Sequence, residues 1–181
     1  MAAGSSVRFG AENKLFFPVE GKSLIQRSLE AIPSDRLHKV CVVTGYSEVC
    51  SIASSFGFST VINDRPEDGI SRTIRLGTKE LQDECSAILY MVSDQPFLKR
   101  SSISGIIDCY ALNPDYIVSA ASRGKRGNPC IFPQKFFSGL MQLKGDTGGS
   151  SIIRSNPGSV LYYELDKIEL SDIDTRNALP S

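Results

Sequence analysis

The run Ala87-Ile88-Leu89-Tyr90-Met91-Val92 is apolar at every position and stops abruptly at Ser93-Asp94-Gln95-Pro96. A strand with one wet face alternates apolar and polar residues, so an unbroken apolar strand needs cover on both faces, as in a parallel sheet between helical layers. Shorter β-branched runs at Val40–Thr44, Thr60–Ile62, Tyr116–Ser119 and Val160–Leu165 read as further strands. Between them apolar residues recur at helical spacing: Leu24, Ile25, Leu29 and Ile32; Ile74, Leu76 and Leu81; Ile103, Ile106 and Ile107; Phe136, Phe137 and Leu140. This alternation predicts one α/β domain over residues 1–181, Rossmann-like, with a mostly parallel sheet flanked by helices. Ligands of such a sheet sit at the carboxyl ends of its strands, in the loops that lead into helices. A domain of this kind is expected to open on a full strand, whereas only Met1 to Ala3 precede Gly4, so the first strand is expected to be short or lost to a late start.

Charge narrows the partner. The 20 basic and 20 acidic residues cancel, leaving no net field to gather nucleic acid or an anionic membrane surface, so a small-molecule partner bound through local geometry is expected. No apolar run approaches the roughly 18 residues of a membrane-spanning helix, and Met1 to Gly10 lack a signal-peptide core, so the expected setting is the cytoplasm. Five cysteines without a C-x-x-C pair suit neither a disulfide framework nor a zinc knuckle and are expected to be reduced and mostly buried. His38, the single histidine, excludes a multi-histidine metal site and reads as a surface residue ahead of a strand.

Chemistry concentrates in a few loops. Ala2-Ala3-Gly4-Ser5-Ser6-Val7-Arg8-Phe9-Gly10, with Asn13-Lys14 beyond, is either a glycine-bearing tail or a triphosphate cradle. In the cradle, small residues let backbone N–H groups converge on phosphate while Arg8 and Lys14 add charge. It is not a Walker loop, because G-x-x-x-x-G-K-[ST] is absent. Asn63-Asp64-Arg65-Pro66-Glu67-Asp68-Gly69-Ile70-Ser71 runs from a strand end into a helix that Ser71 is placed to cap. Asp94, at the end of the most apolar strand, reads either as a turn aspartate or as a carboxylate holding Mg²⁺ against triphosphate oxygens. Gly127-Asn128-Pro129 and Gly145-Asp146-Thr147-Gly148-Gly149 read alone as turns. Asp172 and Asp174, at alternate positions, point to one side if extended, and Asp174 is the expected partner of Asp94 on a metal.

Met1-Ala2-Ala3-Gly4-Ser5-Ser6-Val7-Arg8-Phe9-Gly10 followed by Lys14 resembles the L-A-A-G-x-S-x-R-x-G-then-lysine signature of the molybdenum-cofactor nucleotidyltransferase family, the MobA-like NTP transferases. Ser93-Asp94-Gln95-Pro96 resembles the family's G-D-Q-P metal loop, with Ser93 for glycine. Gly127-Asn128-Pro129, Gly145-Asp146-Thr147-Gly148-Gly149 and Asp172-Ile173-Asp174-Thr175 follow in the family's order, with Ser150 where an arginine is usual. The resemblance runs from the first residues to Thr175 and is nearer to the cytidylyltransferase branch.

The resemblance implies a GT-A-like nucleotidyltransferase fold and transfer of CMP from CTP to molybdopterin or molybdenum cofactor, with pyrophosphate leaving. It places Ala3, Gly4, Ser5, Ser6, Asn63, Gly69, Ser71 and Arg75 around the nucleotide, and Gly127, Asn128, Pro129 and Asp146 at the acceptor. Lys14 and Arg8 would stabilise charge at the reacting phosphorus, with Mg²⁺ on Asp94 and Asp174. Ser150 in place of the arginine leaves two other readings. One is a non-catalytic accessory protein that delivers cofactor to a molybdenum hydroxylase as its partner enzyme. The other is a transferase using GTP or another phosphorylated acceptor, such as a sugar, polyol or lactate phosphate.

Overall fold

The computed structural model describes residues 1–3 and 13–173. A short hairpin, β1 (Pro18–Val19) and β2 (Lys22–Ser23), leads into α1 (Leu24–Glu30). Ser23 and Gln26 close a capping box there: the Gln26 N–H donates to Ser23 Oγ at 3.4 Å and the Ser23 N–H to Gln26 Oε1 at 3.0 Å. Then come β3 (Cys41–Thr44), α2 (Ser47–Ser55), β4 (Ser59–Ile62), α3 (Ile70–Leu81), β5 (Ala87–Tyr90), α4 (Arg100–Leu112), β6 (Ile117–Ser122), β7 (Lys125–Pro133), α5 (Phe137–Met141), α6 (Ser150–Ser155) and β8 (Val160–Glu164).

The sheet lies in two parts. β3 pairs with β4 in parallel, and the larger part has the order β5-β7-β6-β8. Within it β5, β6 and β8 run one way and β7 against them. The sheet is therefore mixed, with the expected parallel majority interrupted by β7. Helices cover both faces: Ile74 of α3, Leu140 of α5 and Ile153 of α6 pack on Ile88, Tyr90 and Phe132, while Ile106 of α4 packs on Val118, Ala120 and Ile131. Those layers explain why the Ala87 run is apolar throughout.

β7 is the longest strand, and its sequence conceals it, because glycine and proline in mid-run normally argue against a strand. Its register reconciles this: Ser119 opposes Cys130 and Ala121 opposes Arg126, so Gly127, Asn128 and Pro129 bulge out opposite Ala120. Pro129 sits where no ladder N–H is needed, its peptide bond with Asn128 is cis, and the Gly127 carbonyl accepts from Ser119 Oγ at 3.2 Å. α2 also escapes the periodicity, since its only buried residues are Val49 and Ala53. Among the cysteines, all free, Cys130 alone is buried and Cys41, Cys50, Cys85 and Cys109 are half-buried, so the expectation of mostly buried thiols is corrected. His38 lies on the surface, as expected.

The Met1–Ala3 segment forms an isolated bridge between the two parts of the sheet. Ala2 pairs in parallel with Thr44, donating its N–H to the Val43 carbonyl at 2.9 Å. On the other side the Met1 amine donates to the Met91 carbonyl at 2.7 Å, and Ser93 Oγ donates to the Met1 carbonyl at 2.7 Å. Burial pushes this amine down from 8.0 to about 6, against the weaker opposing pull of Cys41 and Asp94. The folded chain thus binds the proton less well than the unfolded chain. The resulting penalty is complete below pH 6 and gone above pH 8, so stability should rise across that window by up to ~3 kcal/mol. Denaturant unfolding at pH 6 and pH 8 checks this, and N-terminal acetylation should flatten the dependence.

Candidate functional site

A cleft of about 270 Å³ opens at the carboxyl ends of the Met1–Ala3 segment and β5, lined by Ala2, Ala3, Lys14, Gly69, Ile70, Thr73, Ser93, Asp94 and Asp146. They come from loops and from the first turn of α3, and their anchoring is visible. Asn13 accepts the Leu15 N–H on its side chain at 3.0 Å and starts a turn over Lys14–Phe16, while Leu15 buries between α1 and α2. That fixes Lys14, whose Nζ donates to Asp94 Oδ2 at 2.8 Å across 80 residues of sequence, with the two side chains 17% and 25% exposed. The other oxygen, Asp94 Oδ1, is buried without a hydrogen-bond partner among the described residues. A buried carboxylate oxygen without a donor is unfavourable unless a cation or a polar ligand group reaches it.

The segment before Asp174 docks on this loop. The Ile173 N–H donates to the Asp94 carbonyl at 2.9 Å, and Ile173 is buried with Val19 and Leu24. Gln95 Nε2 donates to Asp172 Oδ1 at 2.9 Å and to the Leu170 carbonyl at 3.2 Å. Asp172 is thus engaged by Gln95, and the chain that continues into Asp174 lies beside Asp94. Asp174 itself, and Gly4, Ser5, Ser6 and Arg8 of the cradle, lie outside the described residues.

The second loop differs from its reading in the sequence. α3 begins at Ile70 with Gly69 as its N-cap, at φ +82°, and Ser71 sits inside the first turn, fully buried. Ser71 is therefore not the cap; its backbone N–H donates to the Gly145 carbonyl at 3.1 Å and its hydroxyl accepts from Arg75 at 3.3 Å. Arg75 also donates to the Leu143 carbonyl, so Ser71 and Arg75 hold the Lys144–Asp146 turn and do not line the cleft. Asn63 is 1% exposed; it donates to Thr73 Oγ1 at 3.1 Å and accepts from the Arg65 N–H at 3.2 Å and Arg72 Nε at 2.9 Å. Its side chain is committed to positioning Thr73, a cleft residue that sequence reasoning missed. Asn63→Ala would remove the donor to Thr73 Oγ1 and the acceptor of the Arg65 N–H and Arg72 Nε, leaving Arg72 only its contacts with Asp64 and Asp68, and should lower stability by about 2 kcal/mol in denaturant titration.

Asp146 also faces a neighbouring cavity of about 300 Å³, with Arg126, Gly127, Asn128 and Ser150 around it and Ile74, Tyr90, Phe132 and Ile153 as its floor. Pro129 is absent from that lining but shapes it through the β7 bulge. Arg126 reaches across to donate to the Ser150 carbonyl at 3.0 Å, at the position where an arginine was expected. It lies one residue ahead of the Gly127-Asn128-Pro129 pattern, and the pattern was the only signal that could have drawn notice to it. The two cavities meet at Asp146, Ile70 and Met1.

Among the described residues no cluster of three or more His, Cys, Asp or Glu side chains could enclose a metal. Asp94 Oδ1, a buried carboxylate oxygen without a described donor, fits a hard divalent cation, which prefers oxygen ligands. No described helix is long and apolar enough to cross a membrane.

A layered α/β domain with a lysine–carboxylate pair in a cleft at its strand ends, and a second pocket adjoining it at Asp146, fits a nucleotidyltransferase. The chain belongs to the MobA-like NTP transferase domain family, which it matches over residues 1–160, as the resemblance implied. It is 28% identical to the purine catabolism protein PucB of Bacillus subtilis over 97% of this chain and 89% of that protein. In fold it is similar to a nucleotidyl transferase from Methanothermobacter thermautotroptrophicus (TM-score 0.80, 21% identity, 98% of this chain and 90% of the other). It is also similar to Rv0371C of Mycobacterium tuberculosis H37Rv in complex with manganese (TM-score 0.73, 20% identity, 91% and 85% covered).

Proposed function

We propose that the chain, as one domain over residues 1–181, is a cytoplasmic Mg²⁺-dependent cytidylyltransferase acting on molybdopterin or molybdenum cofactor. An acceptor phosphate oxygen attacks the α-phosphorus of CTP, a P–O bond forms to CMP, and the bond to pyrophosphate breaks. No covalent enzyme intermediate is needed, so the residues act by positioning and charge. The observation that carries the reading is the Lys14–Asp94 pair, with its unpartnered Oδ1, in a cleft that joins a second pocket at Asp146. Mg²⁺ held by Asp94 and Asp174 would supply charge neutralisation at the phosphates. Lys14 and Arg8 carry the charge that builds on the transferring and leaving groups. Gly4, Ser5 and Ser6, with Ala3, offer backbone N–H groups to phosphate, Gly69 borders the nucleotide, and Asn63, Ser71 and Arg75 hold the loops around it. Gly127, Asn128, Pro129 and Asp146 form the acceptor side, and the cytidine preference rests on the resemblance of the Gly127 and Asp172 segments to that branch.

The test is pyrophosphate release from each of the four NTPs with Mg²⁺ and molybdopterin or its molybdenum-bound form. Release selective for CTP supports the reading. Release with GTP, or only with a sugar, polyol or lactate phosphate, replaces base or acceptor and keeps the reaction class. The likeness to a protein of purine catabolism favours one second reading, an accessory protein dedicated to a molybdenum hydroxylase; cofactor binding without turnover of any NTP would select it.

A further inference from the structure

Arg126 is the one basic side chain in the described lining of the second cavity, and the chemistry proposed at Lys14 and Asp94 makes no use of it. It opposes Ala121 of β6 just ahead of the β7 bulge, half-buried, and one bond holds it: Nη1 donates to the Ser150 carbonyl at 3.0 Å. A guanidinium carries several N–H donors, so most are left over, and no carboxylate among the described residues pairs with Arg126. A half-buried arginine without a counter-charge is unfavourable until an anionic oxygen reaches it. Its charge is felt inside the cavity. Burial pushes the thiol of Cys130, another lining residue, up to about 11, and the Ser119 hydroxyl and the Arg126 charge pull against that push.

The floor of the cavity limits what kind of molecule could bring that oxygen. Ile74, Leu140 and Ile153 are apolar, and the rings of Tyr90 and Phe132 meet edge to face among them, with centroids 5.7 Å apart. The Tyr90 hydroxyl, 2.7 Å from Thr78 Oγ1, is already engaged. Hydroxyls on the faces of a polyol would find no partner on this floor, whereas a flat ring is matched to it. The cleft that holds Lys14 and Asp94 meets the cavity at Met1, Ile70 and Asp146, and Arg126 does not line that cleft.

We propose that Arg126 is a specificity contact for the acceptor: it binds an anionic oxygen on the edge of a flat, largely apolar acceptor body, in a group distinct from the phosphate that reacts. In the transferase reading on which this rests, the acceptor phosphate lies where the two cavities join, its ring covers the apolar floor, and its second anionic group meets the unbonded side of the guanidinium.

The experiment measures, by calorimetry on the whole chain, the binding of phenyl phosphate and of para-carboxyphenyl phosphate, a pair that differs only in the far carboxylate. The unaltered protein is expected to bind the carboxylated probe about tenfold more tightly. Arg126→Gln should erase that preference while leaving the affinities for phenyl phosphate and CTP within about twofold and Tm within a few degrees. Arg126→Lys, a point charge without the planar fork, should recover only part of the preference. Glycerol phosphate, with a polyol body, should bind about tenfold more weakly than phenyl phosphate. Equal binding of the two aryl probes by the unaltered protein overturns the proposal, as does a preference that survives in Arg126→Gln. Equal loss of both probes in Arg126→Gln would assign the guanidinium to the reacting phosphate, and weakened CTP binding would assign it to the nucleotide; either overturns the acceptor contact. Glycerol phosphate bound as tightly as phenyl phosphate overturns the flat body. None of these measurements needs turnover, so a failure to release pyrophosphate from any NTP would count against the transferase reading alone.

Discussion

Asp94→Asn should lower nucleotidyl transfer by about 10²–10³-fold, with Tm moving by only a few degrees. The two effects separate because the carboxylate has two distinct oxygens. Oδ2 accepts from Lys14 Nζ at 2.8 Å, and an amide oxygen can accept the same bond, so the Lys14 turn stays in place. Oδ1 is buried with no described donor and contributes little to the resting fold. What the substitution removes is the negative charge that would hold a divalent cation. Single-turnover rates at rising Mg²⁺ concentration distinguish the causes. A metal-binding role predicts partial rescue at high Mg²⁺, and a defect in Lys14 alone predicts none. Full activity in Asp94→Asn would remove the basis of the proposed mechanism.

Local pattern carried the layers of the fold into view. Ala87–Val92 announced a doubly covered strand, and the spacing of Leu24, Ile25 and Leu29 announced α1, because burial of a whole face writes a period into the sequence. β7 stayed hidden because its bulge tolerates Gly127 and Pro129, which break the pattern without breaking the strand. At the site, residue types were legible and partners were not. Asp94 stood out at its strand end, but its pairing with Lys14 spans 80 positions and leaves no local trace. Ser71 looked like a cap because serine before an apolar helix usually is one. The chain instead uses Gly69, since the Gly145 backbone comes too close for any side chain, and that long-range contact cannot be read from either segment alone. Asn63 was expected near the nucleotide, and the structure gives its side chain to Thr73, Arg65 and Arg72, a consequence of burial that sequence does not encode locally.

The Gly69–Gly145 contact supports the second large effect. Gly69→Ala should destabilise the protein by about 3–4 kcal/mol, a fall in Tm of about 10 °C, and should raise the KM for acceptor in whatever fraction stays folded. Two costs add. Gly69 sits at φ +82° and ψ 179°, a region essentially reserved for glycine, where an L side chain is strained by about 1–3 kcal/mol. A Cβ there would also lie 2.4 Å from the Gly145 carbonyl carbon and oxygen and 2.7 Å from Asp146 Oδ1, and the first two are backbone atoms that no side-chain rotation can move. Gly124→Ala separates the terms, because Gly124 has a similar φ of +74° and nothing within 4 Å of its Cβ position, so it should lose only the strain. The difference between the two variants is then the contact together with the added strain of the extended ψ at Gly69, about 2 kcal/mol or more. If the Gly145–Asp146 turn yields instead, Gly69→Ala will match Gly124→Ala in stability. The displacement then carries Asp146 away from the boundary of the two cavities, and KM rises for both acceptor and NTP, because Gly69 and Asp146 also line the nucleotide cleft. Equal stability together with unchanged kinetics would mean that the turn is not a working wall of the site.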